Sequence, residues 1–81
     1  MDKEWLKKSK ENLIRFGEQD FNILLIGTME ELGELAEAYL KYKYENGKFN
    51  RIKEELIDLG AICYQMCLKI QNAINHNKDL I

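Results

Sequence analysis

The chain has 81 residues, a formal charge of −2, five glycines and no proline. That length allows one small domain with a modest core of its own, so a staple or a partner is expected to complete it. The charge balance gives no basic footprint for nucleic acid, and no apolar run approaches a membrane span. The charged start Met1-Asp2-Lys3-Glu4-Trp5 lacks the apolar core of a signal peptide, so a cytoplasmic location is expected.

Without proline and with few glycines, the sequence predicts long uninterrupted helices. The first covers about residues 3–16, where Trp5, Leu6, Ser9, Leu13 and Phe16 keep the 3–4 spacing of an apolar face. Gly17 follows as a residue that accepts the left-handed conformation ending a helix. The second covers about 23–43, with Asn22 as its expected N-cap and Phe21 and Ile26 at the spacing of a hydrophobic staple. Asn46-Gly47 is the next turn signal. The third helix covers about 51–73, capped by Asn50, and a polar tail from His76 is expected to fray. Cys63 and Cys67, four apart on the third helix, read as reduced core cysteines; with His76 the single histidine, ligands for zinc are lacking.

Short connections between three helices predict an all-α, up-down-up antiparallel bundle forming a single domain over residues 1–81. Ile26, Gly33 and Leu40 lie on the second helix roughly opposite its main apolar stripe. A second apolar side of this kind packs against another subunit, so a homo-oligomer is expected.

Two acidic groups stand out, Glu30-Glu31-Leu32-Gly33-Glu34 and Glu54-Glu55-Leu56-Ile57-Asp58. On a wheel of ~100° per residue, Glu30 and Glu37 share a solvated arc with Lys41. Glu34 lies at its border, and Glu31 falls in the stripe of Leu24, Thr28, Leu35, Ala38 and Tyr42. Gly27 and Ala38 leave room beside it. In the third helix Glu55 aligns with Leu59, Ile62 and Met66, while Asp58 is at the edge. Each helix thus offers one inward carboxylate and one at the rim, three residues apart and therefore neighbours on the helix surface.

A single ExxE pair is an ordinary feature of solvated helices. Two pairs that intrude on the apolar stripes of consecutive antiparallel helices are not, because a buried carboxylate must be paired, protonated or bound to metal. All-oxygen ligands favour a hard cation, Mg²⁺ or Mn²⁺. A di-iron bundle site would need Glu-x-x-His on two helices, and here carboxylates stand at those positions.

Glu30-Glu31-x-x-Glu34 followed, after 20 intervening residues, by Glu55-x-x-Asp58 resembles the EExxE…ExxD signature of the all-α nucleoside triphosphate pyrophosphohydrolases, and more narrowly their MazG-like group. Arg15-Phe16-Gly17-Glu18-Gln19, Glu34-Leu35-Ala36-Glu37-Ala38 and Glu54-Glu55-Leu56-Ile57-Asp58-Leu59 are similar as well, so that the resemblance covers about residues 13–70. It implies a helical dimer or tetramer and Mg²⁺-dependent hydrolysis of a nucleoside triphosphate to the monophosphate and pyrophosphate. By motif position it implies Glu31, Glu34, Glu55 and Asp58 as metal ligands, with Glu30 the remaining acid of the motif.

Phosphoryl chemistry asks for positioning, charge neutralisation and an activated water. Glu31 can orient or deprotonate that water. Lys48, Arg51 and Lys53, beside the acids at the start of the third helix, are candidates for the phosphates, and Tyr42 and Trp5 for stacking on a base. The sequence departs from the family in its C-terminal part, where Asn72, Asn75, Asn77 and Lys78 match only loosely. The alternative expectation is a non-catalytic dimerisation or regulatory module whose acids are salt-bridged or hold a structural metal.

Overall fold

The structure, a computed structural model, describes residues 2–79. Three helices follow one another: α1 (Asp2–Phe16), α2 (Phe21–Tyr44) and α3 (Phe49–Asn75). The fold is an all-α antiparallel bundle, elongated at 49 × 23 × 20 Å. Direction is fixed by cross-helix pairs. Lys53–Glu4, Lys8–Asp58 and the Asn12–Gln65 hydrogen bond ascend together along α1 and α3, which are parallel. Gly27 faces Ile62 and Thr28 meets Met66, while Glu31 lies further along α2 beside Glu55 at the opposite side of α3's sequence, so α2 runs antiparallel.

Helix α3 is the centre. Both α1 and α2 pack on it, and among the described residues they do not pack on each other. The buried core is correspondingly thin, with Leu24, Ala38 and Ala61 as its buried apolar residues. Small side chains at Gly27, Ala38 and Ala61 let the helix axes come close; a Cβ on Gly27 would already touch Ile62 Cδ1 at 3.6 Å.

The helix ends show which local signals prevailed. Gly17 has φ +69° and its N–H donates to the Leu13 carbonyl at 2.9 Å, the expected glycine stop. Asn46 takes φ 58° and the N–H groups of Glu45 and Gly47 both donate to the Lys41 carbonyl, closing the Asn46-Gly47 turn. The expected caps are corrected: α2 starts at Phe21 with Asp20 as N-cap, and α3 at Phe49 with Lys48, so Asn22 and Asn50 lie within the first turns. Neither cap makes a side-chain hydrogen bond, and the helices begin two residues early because Phe21 and Phe49 already continue the helical backbone. Ile26, the outer half of the expected staple, is 56% exposed. At the C-terminus α3 reaches Asn75 before a turn through Asn77; Leu80 and Ile81 of the expected frayed tail lie outside the described residues.

Trp5 lies in the α1–α3 seam with its indole directly over Gly60, where any Cβ would collide with the ring. Gly60→Ala is therefore expected to destabilise the protein by about 1–3 kcal/mol, the usual effect of overpacking against a rigid group. Chemical denaturation followed through the single Trp checks this, and unchanged stability would mean that the seam is loose.

A chain of this mass folded as a compact monomer exposes about 5,100 Å² by the surface–mass relation. This one exposes 6420 Å². Much of the difference is apolar and lies on α2, where Leu25, Ile26, Met29, Leu32, Tyr39 and Leu40 are all about half exposed or more. The same cause corrects the reading of Cys63 and Cys67, which are both exposed. Helix α3 has only two neighbours, so the third part of its apolar surface, with Leu68, Ile70 and Ile74, stays uncovered.

Candidate metal centre

Among the described residues the largest fully buried side chain is a carboxylate. Glu55, at 1% exposure, points from α3 into the seam with α2. Its position follows from the wheel: on α3 it falls in line with Leu59, Ile62 and Met66. Across the seam α2 supplies Glu31, half-buried in the stripe that also carries the buried Leu24 and Ala38, and Glu34 at the exposed rim. One carboxylate oxygen from each of Glu31, Glu34 and Glu55 lies within 4.8 Å of the others. That is the scale of a shared ligand sphere and too close for three full negative charges in a partly dry seam.

The compensation inside the protein is incomplete. Arg51, one turn before Glu55, places Nη2 2.5 Å from Glu55 Oε1 and Nη1 3.3 Å from Glu54 Oε2. The approach to Glu55 is an ion pair without hydrogen-bond alignment. Glu31 Oε2 and both oxygens of Glu55 are buried and receive no aligned hydrogen bond from an N–H donor among the described residues. A proton on one of the two carboxyls can bridge Glu31 and Glu55. Accordingly Glu31 is pushed up from 4.5 to about 7, chiefly by burial and then by the charges of Glu34 and Asp58 and a hydrogen bond to Glu55. Glu55 is also raised by burial, against the pull of Arg51. Orphaned, desolvated carboxylate oxygens in a convergent set fit a hard divalent cation, which would take up all three ligands and remove the need for the proton.

Asp58, the fourth expected ligand, sits one turn along α3 from Glu55 but outside the trio. It is engaged by Lys8 of α1, whose Nζ lies 3.5 Å from Oδ1. Its charge nevertheless reaches Glu31, as the shift of that carboxyl records. Glu30 is exposed on the next arc of α2 and does not join the trio, consistent with its place on the solvated face beside Glu37, which pairs with Lys41 at 2.8 Å.

The expected substrate-binding residues divide. Arg51 stands at the mouth of the site. Lys48 is exposed at the N-cap of α3. Lys53 faces the other way, toward α1, where it pairs with Glu4 at 3.6 Å. Tyr42 meets Phe49 edge-on with ring centres 5.3 Å apart, bracing the turn between α2 and α3. Trp5 is seated on Gly60 and its buried Nε1 lacks a hydrogen-bond partner. Lys8 is the residue the sequence reading missed. Its position three after Trp5 placed it beside the apolar face of α1, but only the parallel pairing of α1 with α3 puts it against Asp58.

Comparison of the chain with protein-family models, curated proteins and solved structures finds no match.

Proposed function

We propose that the chain is a Mg²⁺-dependent nucleoside triphosphate pyrophosphohydrolase, releasing pyrophosphate and a nucleoside monophosphate from an NTP or dNTP. The observation that carries this reading is Glu55: a fully buried carboxylate, ion-paired with Arg51 but without an aligned hydrogen bond from it, converging on Glu31 and Glu34. Those three residues would hold Mg²⁺ or Mn²⁺, with Asp58 one turn away as the fourth ligand. When bound, the cation supplies charge neutralisation at the phosphates and polarises the reacting centre.

The chain's own residues account for the remaining requirements. Glu31 orients a water and accepts its proton as the oxygen attacks the α-phosphorus. The bond between the α-phosphorus and the α,β-bridging oxygen breaks, and the electron pair leaves with pyrophosphate. Arg51, 57% exposed at the mouth of the site, has donors directed at the acids and is free to turn toward substrate oxygens. Glu30, adjacent in sequence but outside the trio, is available to the outer face of the site.

The test is a panel of NTPs and dNTPs assayed with Mg²⁺ for pyrophosphate release. Turnover is expected for at least one member and is expected to fall at least ~100-fold in Glu34→Gln combined with Asp58→Asn. Absence of turnover on the whole panel, or its survival in the double variant, would sink the reading. The non-catalytic alternative predicts no turnover, with thermal stability that either ignores Mg²⁺ or depends on it without nucleotide.

The same proposal includes a second copy of the chain on the exposed face of α2. The surface beyond that of a compact monomer is about 1,300 Å², whereas a standard interface covers about 800 Å² per partner. A dimer or tetramer is expected by light scattering at micromolar concentration. Met29→Lys with Leu32→Lys is expected to yield a less stable monomer. A clean 9.6 kDa species from the unmodified chain would exclude the assembly.

A further inference from the structure

We propose that Lys8 is a phosphate-binding residue of this site, held on Asp58 until a cation takes that carboxylate. The inference rests on the metal reading of the acids and assigns to α1 a part in the site that neither acidic motif contains.

The contact itself is loose. At 3.5 Å the Lys8–Asp58 pair is longer than a charge-assisted hydrogen bond of about 2.7–2.9 Å. The two side chains are 37% and 30% exposed, so water shares the charge and the pair separates at little cost. A contact of this kind does little to fasten α1, which is held instead by Trp5 on Gly60, the buried Ser9 and Ala61, and the Asn12–Gln65 bond. What the pair does is place an ammonium of α1 on Asp58, one turn of α3 from the buried Glu55. Two protein cations thus rest on carboxylates of α3: Arg51 on Glu54 and Glu55, and Lys8 on Asp58.

A divalent cation held by these acids would take Asp58 as a ligand and would leave the Lys8 ammonium available to a polyphosphate. The long, flexible lysine stem lets the charge follow the phosphate without moving α1. Lys8 thus competes with the cation for Asp58 while the site is empty and assists the polyphosphate once the cation is in. A merely structural ion pair would compete for Asp58 but would not assist the polyphosphate.

The two effects are separable. Mn²⁺ binding to the nucleotide-free chain is read by electron paramagnetic resonance, and inorganic tripolyphosphate binding to the Mn²⁺-loaded chain by calorimetry. Lys8→Met is expected to tighten Mn²⁺ binding about tenfold by removing a neighbouring positive charge. It is expected to weaken tripolyphosphate binding about tenfold. Lys8→Arg is expected to restore the tripolyphosphate arm, and Lys8→Gln serves in place of Lys8→Met if that variant does not fold. Either affinity unchanged in a folded, charge-free variant overturns the proposal. If the unmodified chain and the variants all fail to bind Mn²⁺, the metal reading falls and this inference with it; if all bind Mn²⁺ equally, the inference alone falls.

Discussion

Glu55→Gln is expected to raise the melting temperature of the metal-free protein and to abolish any further rise on adding Mg²⁺. In most proteins the removal of a buried, ion-paired carboxylate destabilises, because the partner is left charged in a dry place. Here the partner is Arg51, whose side chain is 57% exposed and returns to water, so that penalty is small. The gain is larger. The glutamine amide has nearly the shape of the carboxylate, carries no charge against Glu31 and Glu34, and supplies an N–H donor toward the buried Glu31 Oε2. A stabilisation of about 1–2 kcal/mol is expected from relief of such a group, which in a domain of this size is a shift of roughly 4–8 °C per kcal/mol. Thermal unfolding with EDTA and with Mg²⁺, for both proteins, measures both effects. Pyrophosphate release should fall at least ~100-fold in the same variant. A metal-free variant less stable than the parent would mean that Glu55 serves as a structural partner of Arg51, and the proposed metal site would lose its main support.

Much of this centre could be read in the sequence because helical periodicity is a strong constraint. Once the two long helices were recognised, the wheel alone separated Glu31 and Glu55, which point inward, from Glu34 at the rim and Glu30 on the wet face. Their burial in the structure follows that order. Periodicity says where on a helix a residue sits, but not what covers it. Cys63 and Cys67 illustrate the difference: they lie on apolar surface of α3, yet α1 and α2 occupy other sectors and leave both thiols exposed. Leu13 and Phe16 follow the same logic on α1, each more than half exposed although they continue the stripe of Trp5 and Ser9.

Cross-helix pairing was beyond the wheel as well. Lys8 and Lys53 are both lysines near acidic neighbours in the fold, but Lys8 meets Asp58 of the site whereas Lys53 meets Glu4. The rotation of α1 about its axis, set by Trp5 seating on Gly60, decides between them. The caps failed for a local reason. Asn22 and Asn50 have the right chemistry for an N-cap, but each follows a phenylalanine that is itself helical, so both sit inside the first turn.

Metal-free stability is expected to fall as the pH rises from about 4.5 to about 7, the interval between the unfolded and folded values of Glu31. Below it, Glu31 is protonated in both states and contributes nothing to the balance. Within it, the unfolded chain releases the proton while the folded chain retains it, so each increment of pH favours unfolding. Above about pH 7 both states are ionised and the penalty is constant. Glu55 acts in the same direction, being raised by burial despite Arg51. Glu37 acts oppositely, but its value is lowered by the hydrogen bond from Lys41, so its contribution is lost only in more acid solution and stays outside this window. On the proposed metal reading, Mg²⁺ is expected to reverse the sign. The cation requires ionised ligands, so its affinity falls as Glu31 takes up its proton, and the stabilisation by Mg²⁺ grows as pH rises toward and past 7. Urea unfolding from pH 5 to 8, with EDTA and with Mg²⁺, should therefore give two curves of opposite slope, and Glu31→Gln should flatten both. Stability that rises with pH in EDTA would show that the three carboxylates are already neutralised by the protein, with no vacancy that a cation fills.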